Sequence, residues 1–225
     1  MLDHAVQFYE DDGYLVGQVA GFIRAGLQAG DAAVVIVTKP RRDELEKHLR
    51  NDISRAAARY PNAEQYLALD AADTLSKFML EGRPDEGRFA EFMGPVLKRA
   101  ADACNGRLRV FGEMVNLIAA NGEHEAAICL EEFWNRLARI QPMSIFCGYR
   151  IGVFARAADG QAFLNVCNAH SRVSPAESYT PPANAHEHYR AIAMLQQKAM
   201  ALETELAHRK ELEKALQRRE NELTA

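Results

Sequence analysis

The sequence predicts an α/β protein: a mainly parallel sheet with helices on both faces, followed by one long C-terminal helix. Three observations carry this. Short β-branched runs alternate with amphipathic helical stretches along most of the chain. One run, Ala33-Val34-Val35-Ile36-Val37, has no polar alternation, as in a parallel strand covered on both faces. From His186 the composition shifts to Ala, Leu, Gln, Glu, Lys and Arg, all strong helix formers.

The elements follow in order. His4 to Tyr9 alternates as a short strand, and Glu10-Asp11-Asp12-Gly13 turns it into a helix that Asp12 can cap. Leu15, Val19, Phe22, Ile23 and Leu27 form that helix's apolar stripe, and Gly30 marks its end. After the second strand comes a helix through Leu45 and Leu49, then a strand at Tyr66 to Leu69 and a helical piece that Asp73 can cap. Gly82-Arg83-Pro84 breaks the chain before a helix with Phe89, Phe92, Met93, Val96, Leu97 and Ala100 on one face. Strand Leu108 to Glu113, helix Glu123 to Ile140 and strand Ser144 to Tyr149 complete the alternation, with a further helix around Phe163 to Cys167. Right-handed crossovers would then place ligands beyond the carboxyl ends of the strands.

These elements predict a domain over residues 1–180, a Pro-rich linker at 181–185 and a helix over 186–225. The helix has a heptad seam with Ile192, Ala199 and Leu206 at one core position and Leu195, Leu202, Leu216 and Leu223 at the other. Arg209, Glu213 and Glu220 interrupt it, so a coiled-coil homodimer through 186–225 is expected to pair weakly. A surface helix packed on its own domain is the competing reading.

Composition narrows the function. Hydrophobic residues make up 48% and charged residues 26%, enough for a packed core. The net charge of -4 provides no general basic field, which argues against nucleic acid as the main partner. Met1-Leu2-Asp3-His4 lacks the basic start and apolar run of a signal peptide, and no apolar stretch is long enough to span a bilayer. A cytoplasmic location is the expectation. Cys104, Cys129, Cys147 and Cys167 are dispersed, which suggests reduced thiols.

His4-Ala5-Val6-Gln7-Phe8-Tyr9-Glu10-Asp11-Asp12, Phe111-Gly112-Glu113-Met114-Val115, Leu130 to Asn135, Phe146-Cys147-Gly148-Tyr149 and Asn168-Ala169-His170-Ser171 together resemble the MEDS family. These are sensory domains named after methanogens, methylotrophs and the dichloromethane-responsive regulator. The resemblance runs roughly from His4 to Tyr179. It implies a RecA-like fold, the sensing of small hydrocarbon derivatives, and a C-terminal connector of the kind that leads to a histidine kinase or transcription regulator. It also implies ligand contacts at His4 and Cys147.

Nucleotide chemistry is argued against. A phosphate loop between the first strand and helix needs glycines ending in Lys and Ser or Thr. Here Glu10-Asp11-Asp12 would repel a triphosphate, so ATP is not expected and no catalytic residue is assigned. The candidate ligand-binding set is His4, Tyr9, Glu10, Glu113, Cys147 and Tyr149. Imidazole and thiolate suit zinc, copper or iron, making His4, Cys147 and His170, with Glu113 as an alternative, the metal candidates. Against each stands a bland reading: a hydrogen-bonded histidine, a buried cysteine, a paired structural carboxylate, and core packing for the aromatics. Arg41, Arg42, Lys47 and Arg50 read as a solvated basic face. The leading expectation is a sensory module that binds a small molecule and signals through its helix. A divergent RecA-like nucleotide-binding enzyme and an inert platform acting through the helix are the alternatives.

Overall fold

A computed structural model describes residues 3–59, 65–104, 106–179 and 185–223. The sheet-forming part runs β1 (Asp3–Tyr9), α1 (Asp12–Ala29), β2 (Ala32–Val37), α2 (Lys39–Arg59), β3 (Tyr66–Asp70), α3 (Ala71–Phe78), β4 (Met79–Leu80), β5 (Arg83–Pro84) and α4 (Glu86–Asp102). It continues with β6 (Leu108–Gly112), α5 (Met114–Ala120), α6 (His124–Ile140), β7 (Met143–Arg150), α7 (Gly160–Ala169) and β8 (Arg172–Ser174). Six strands form a wholly parallel sheet in the order β3-β2-β6-β7-β1-β8. The predicted α/β architecture, with its parallel sheet and long C-terminal helix, is therefore present.

Two apolar layers cover the sheet. Strand alternation sends Val6, Phe8, Ile36, Val110, Ile145, Cys147 and Tyr149 to one layer, where residues of α3 to α7 cover them. Ala5, Tyr9, Val35, Val37, Phe111 and Phe146 enter the other, beneath α1 and α2. Phe89 anchors the first layer, meeting Trp134 edge-on at 5.1 Å and Phe78 at 5.2 Å between ring centres. Each such ring contributes about 1.5–3 kcal/mol by leaving water.

Local chemistry adjusts several expected boundaries. The α1 cap is Asp11, not Asp12: its side chain accepts from the Tyr14 amide at 2.8 Å. Asp70, not Asp73, caps α3 by accepting from the Ala72 and Asp73 amides. In both cases the first acidic residue takes the extended backbone a cap requires, and the second falls inside the first turn of the helix. The expected break at Gly82 is a tight hairpin between β4 and β5, with Glu81 and Gly82 both at positive φ. Gly26 allows α1 to approach β6, since a Cβ there would fall 2.3 Å from Arg109 Cγ.

The chain divides into two compact units after Ser178. The second contains α8 (Ala185–Leu223). The linker expected at 181–185 falls, except for Ala185, outside the described residues. Along α8, the seam residues Ile192, Leu195, Leu202, Leu206 and Leu216 are exposed. Arg209 and Glu213, which interrupt the seam, pair with each other at 3.2 Å across one helical turn. Among the described residues no helix is long and apolar enough to cross a membrane.

Candidate functional site

The parallel register places Val6 beside Cys147 and Phe8 beside Tyr149, while His4 lies two residues before Val6 on the same face of β1. His4, Cys147 and Tyr149 therefore project into one layer. There α6 presents Glu131 and Asn135, one turn apart, and the end of α7 delivers His170.

These side chains meet in a dry polar centre. His4 and Glu131 have no exposed surface, Cys147 is 1% exposed, and the His170 side chain is fully covered. His4 Nε2 lies 3.2 Å from Cys147 Sγ and 3.3 Å from Glu131 Oε2. The Cys147 thiol is 3.4 Å from that same oxygen. Tyr149 donates its hydroxyl to Glu131 Oε1 at 3.0 Å, and His170 Nε2 approaches the same oxygen at 3.5 Å. That last contact has ion-pair length without hydrogen-bond geometry, leaving His170 Nε2 without a hydrogen bond.

Both imidazoles are held from behind. His170 Nδ1 donates to the Val166 carbonyl at 2.6 Å, a partner that can only accept. Asn135 Nδ2 donates to the Ala169 carbonyl, which turns its Oδ1 toward His4 Nδ1 at 2.9 Å. Each ring thus keeps a proton on Nδ1 and directs Nε2 inward.

Burial and charge set the protonation of this centre. Burial opposes ionisation of Glu131, but the His170 and His4 contacts outweigh it and hold the carboxyl well below its ordinary range. Burial also works against a charged His170, yet the Glu131 carboxylate raises its pKa. Burial first, and the Glu131 charge second, push the Cys147 thiol and the Tyr149 hydroxyl far up. Among these side chains Glu131 is the anion, while Cys147 and Tyr149 keep their protons.

Tyr9, Glu10 and Glu113 belong to a different cluster, at the carboxyl ends of the strands. Glu113, just after β6, accepts from the Thr38 amide and pairs with Arg41. Arg41 also reaches Asp12 at 2.9 Å and lies over the Tyr9 ring, and Arg150 does both as well. Arg41 is thus not part of a solvated face, since its side chain is only 14% exposed. Glu113 bonds within this cluster, and Glu131 occupies the place by His4 and Cys147 that the sequence suggested for it. The Glu10 and Asp11 amides, at the turn where a phosphate loop would lie, donate to the Glu177 carboxylate. An open cavity of about 550 Å³ lies at the amino ends of β1, β6 and β7, lined by Asp3, Asp31, Arg107, Arg109, Arg139 and Ser144.

Sequence reasoning missed Glu131, Asn135 and Arg41. The signal for Glu131 was its position: it lies four residues after Ala127 and three before Trp134, on the apolar stripe of α6. A carboxylate on such a stripe needs buried partners.

The fold and this centre define a parallel α/β domain organised around a closed polar core inside one layer. The model of the MEDS family, the methanogen/methylotroph, DcmR sensory domain, matches residues 3–171, and the chain belongs to that family. No curated protein and no solved structure shows a significant match.

Proposed function

We propose that this sensory domain detects a small ligand at the His4, Glu131, Cys147 and His170 centre and passes the change to the C-terminal helix through β8. The observation that carries this reading is the position of His170. It is a member of the buried centre and lies two residues before β8, the edge strand that leads out of the first unit.

The connection is mechanical. The Ser171 amide donates to the His4 carbonyl at 2.8 Å, and the Ser171 hydroxyl both donates to that carbonyl and accepts from the His4 amide. β8 then pairs with Ala5 to Gln7, Gln7 donates to the Pro175 carbonyl, and Ser178 donates to Glu10. A shift of His170 or His4 therefore strains the segment 171–178. A ligand alters that segment only to the extent that it binds one arrangement better than the other. The RecA-like ancestry, the histidine-kinase or regulator partner and a helix-mediated dimer complete the reading on the strength of the family resemblance and the α8 seam.

Hydrogen exchange on the full chain tests it. Zinc, short alcohols and dichloromethane are added separately, and exchange is followed at 171–178 and along α8. At least one of them is expected to change protection in both segments, and Glu131→Gln should abolish the response. Unchanged protection with every probe, or a response that survives Glu131→Gln, overturns the proposal.

A further inference from the structure

The centre contains two imidazoles, a thiol and a carboxylate, and one ligand atom from each lies within 4.8 Å of all the others. We infer that His4, Glu131, Cys147 and His170 bind a single divalent transition-metal ion of the zinc class. This names the ligand class of the centre on which the sensory reading rests, but it stands or falls on metal binding alone.

Direction supports it first. A metal-bound imidazole offers one nitrogen's lone pair and donates the other N–H to an oxygen behind it. Both histidines are already arranged that way. His4 Nδ1 is committed to Asn135 and His170 Nδ1 to the Val166 carbonyl, so the two Nε2 atoms converge with Cys147 Sγ and Glu131. Tyr149 donates to Glu131 Oε1, which leaves Oε2 facing His4 and Cys147.

Spacing supports it next. A tetrahedral ion with ligands at about 2.0–2.3 Å places those ligands about 3.3–3.8 Å from one another. His4 Nε2, Cys147 Sγ and Glu131 Oε2 lie 3.2, 3.3 and 3.4 Å from one another. His170 Nε2 is 3.5 Å from Glu131 Oε1 and completes a set of donor atoms within 4.8 Å of one another, so three ligands already have the spacing of a small ion's shell and the His170 ring closes on it to complete the four.

Proton accounting gives the third argument. If every short contact in the ion-free centre were a hydrogen bond, both imidazoles would be cationic with ring centres 4.2 Å apart, in a site without solvent. If only His170 is cationic, Cys147 can donate to His4 Nε2, but Glu131 Oε2 then lacks a donor. His170 Nε2 also makes no hydrogen bond, its 3.5 Å contact with Glu131 having ion-pair length alone. A divalent ion removes the conflict: thiolate and carboxylate supply two negative charges, the imidazoles are neutral, and the buried assembly has no net charge. Loading forms four metal–ligand bonds and releases the Cys147 proton, together with the His170 proton when it is present, to solvent.

The donor set also selects the ion. Calcium and magnesium require shells of oxygen, whereas nitrogen and sulfur with one carboxylate suit zinc, or cobalt(II) as its spectroscopic substitute.

The test uses the full chain, stripped with a chelator and titrated with zinc against a chromophoric competitor, and separately with cobalt(II). One equivalent should bind, and the cobalt form should show intense tetrahedral visible bands and a single-thiolate charge-transfer band. A variant carrying Cys104→Ser, Cys129→Ser and Cys167→Ser together leaves the centre intact and should keep both properties. Cys147→Ser should lose the charge-transfer band. Asn135→Ala, which removes the support behind His4 and the tie to the Ala169 carbonyl but no metal ligand, should weaken zinc by about 10- to 100-fold while keeping the band. Absence of stoichiometric binding to the native chain, loss of the band in the triple variant, or its persistence in Cys147→Ser overturns the site. Should zinc bind as expected while exchange at 171–178 stays unchanged, the metal site stands and its part in sensing fails. Should an organic probe alter exchange in a chain that binds no zinc, sensing stands and the metal site fails.

Discussion

Two polar clusters lie on the same sheet and differ in almost every physical respect. The His4, Glu131, Cys147 and His170 centre is sealed inside one layer, with one carboxylate serving two imidazoles, a thiol and a phenol. The strand-end cluster has two guanidinium groups on Tyr9 and shares Asp12 between them, and both Arg150 and Asp12 are about half exposed. Water and salt screen the Arg150 and Asp12 side of the second cluster, although Glu113 and most of Arg41 are buried there, while the first has only its own members to balance its charge. The difference teaches where specificity can reside. The exposed part of a charge network tolerates replacement, but a dry centre fixes the identity and protonation of each member.

The largest expected effect comes from removing the anion of the dry centre. Glu131→Gln leaves a buried positive group without its counter-charge and should cost about 3–5 kcal/mol of stability. Glu113→Gln keeps an acceptor for the Thr38 amide and leaves Arg41 with Asp12, so a loss of about 1–3 kcal/mol is expected. Urea denaturation of both variants checks this. Equal losses would break the contrast.

Acidity should separate the clusters next. The Glu131 pKa is depressed, so its contribution is complete above the ordinary 4.5 and disappears as pH falls through the depressed value. The His170 pKa is raised, so its contribution is complete below 6.5 and disappears as pH rises through the raised value. In metal-free protein the stability gap between native chain and Glu131→Gln is therefore widest between pH 4.5 and 6.5 and narrows on both sides. A tenfold change in proton affinity between folded and unfolded chain corresponds to about 1.4 kcal/mol. A gap that does not vary with pH would show that Glu131 acts by packing alone.

The contrast also explains what could be read from the sequence. The α/β alternation, the buried strand at Ala33 to Val37 and the long helix were legible because periodicity reports burial directly. β8 was not, for three residues are too few to show a period, and pairing with β1 is what defines it. His4, Cys147 and His170 entered through resemblance or donor chemistry, since their separation along the chain conceals their contact. Arg41 looked solvated because a helix pattern cannot reveal a guanidinium folding back onto Tyr9 and Glu113. Glu131 was concealed by its neighbour Glu132, which is exposed and gave the pair the look of an ordinary charged surface.

Thiol chemistry offers a smaller effect, confined to one atom. Cys147 is fully buried and its thiol is held protonated, whereas Cys104, Cys129 and Cys167 are partly exposed. Iodoacetamide followed by peptide mass spectrometry should label those three under native conditions and reach Cys147 only after unfolding. Early labelling of Cys147 would mean that the centre opens far more often than its burial implies.

The smallest effect should come from Glu177, which belongs to the exposed cluster yet lies on the path out of the domain. Its carboxylate accepts from the Glu10 and Asp11 amides at the start of α1, the position where a helix terminus would otherwise favour an outside anion. Burial, the largest single influence, raises its pKa, but backbone hydrogen bonds, those from Glu10 and Asp11 among them, and the Arg150 charge together outweigh it and lower it. Glu177→Gln keeps the shape and an acceptor while removing the charge. Melting temperature should change by no more than about a degree or two, as for other surface substitutions. Exchange at Glu10, Asp11 and 171–178 should nevertheless accelerate, because the charge that secures this segment to β1 is lost. If exchange there is unchanged, the segment is held by β8 pairing and the Gln7 contact alone, and the exposed cluster has no hold on the exit to the C-terminal helix.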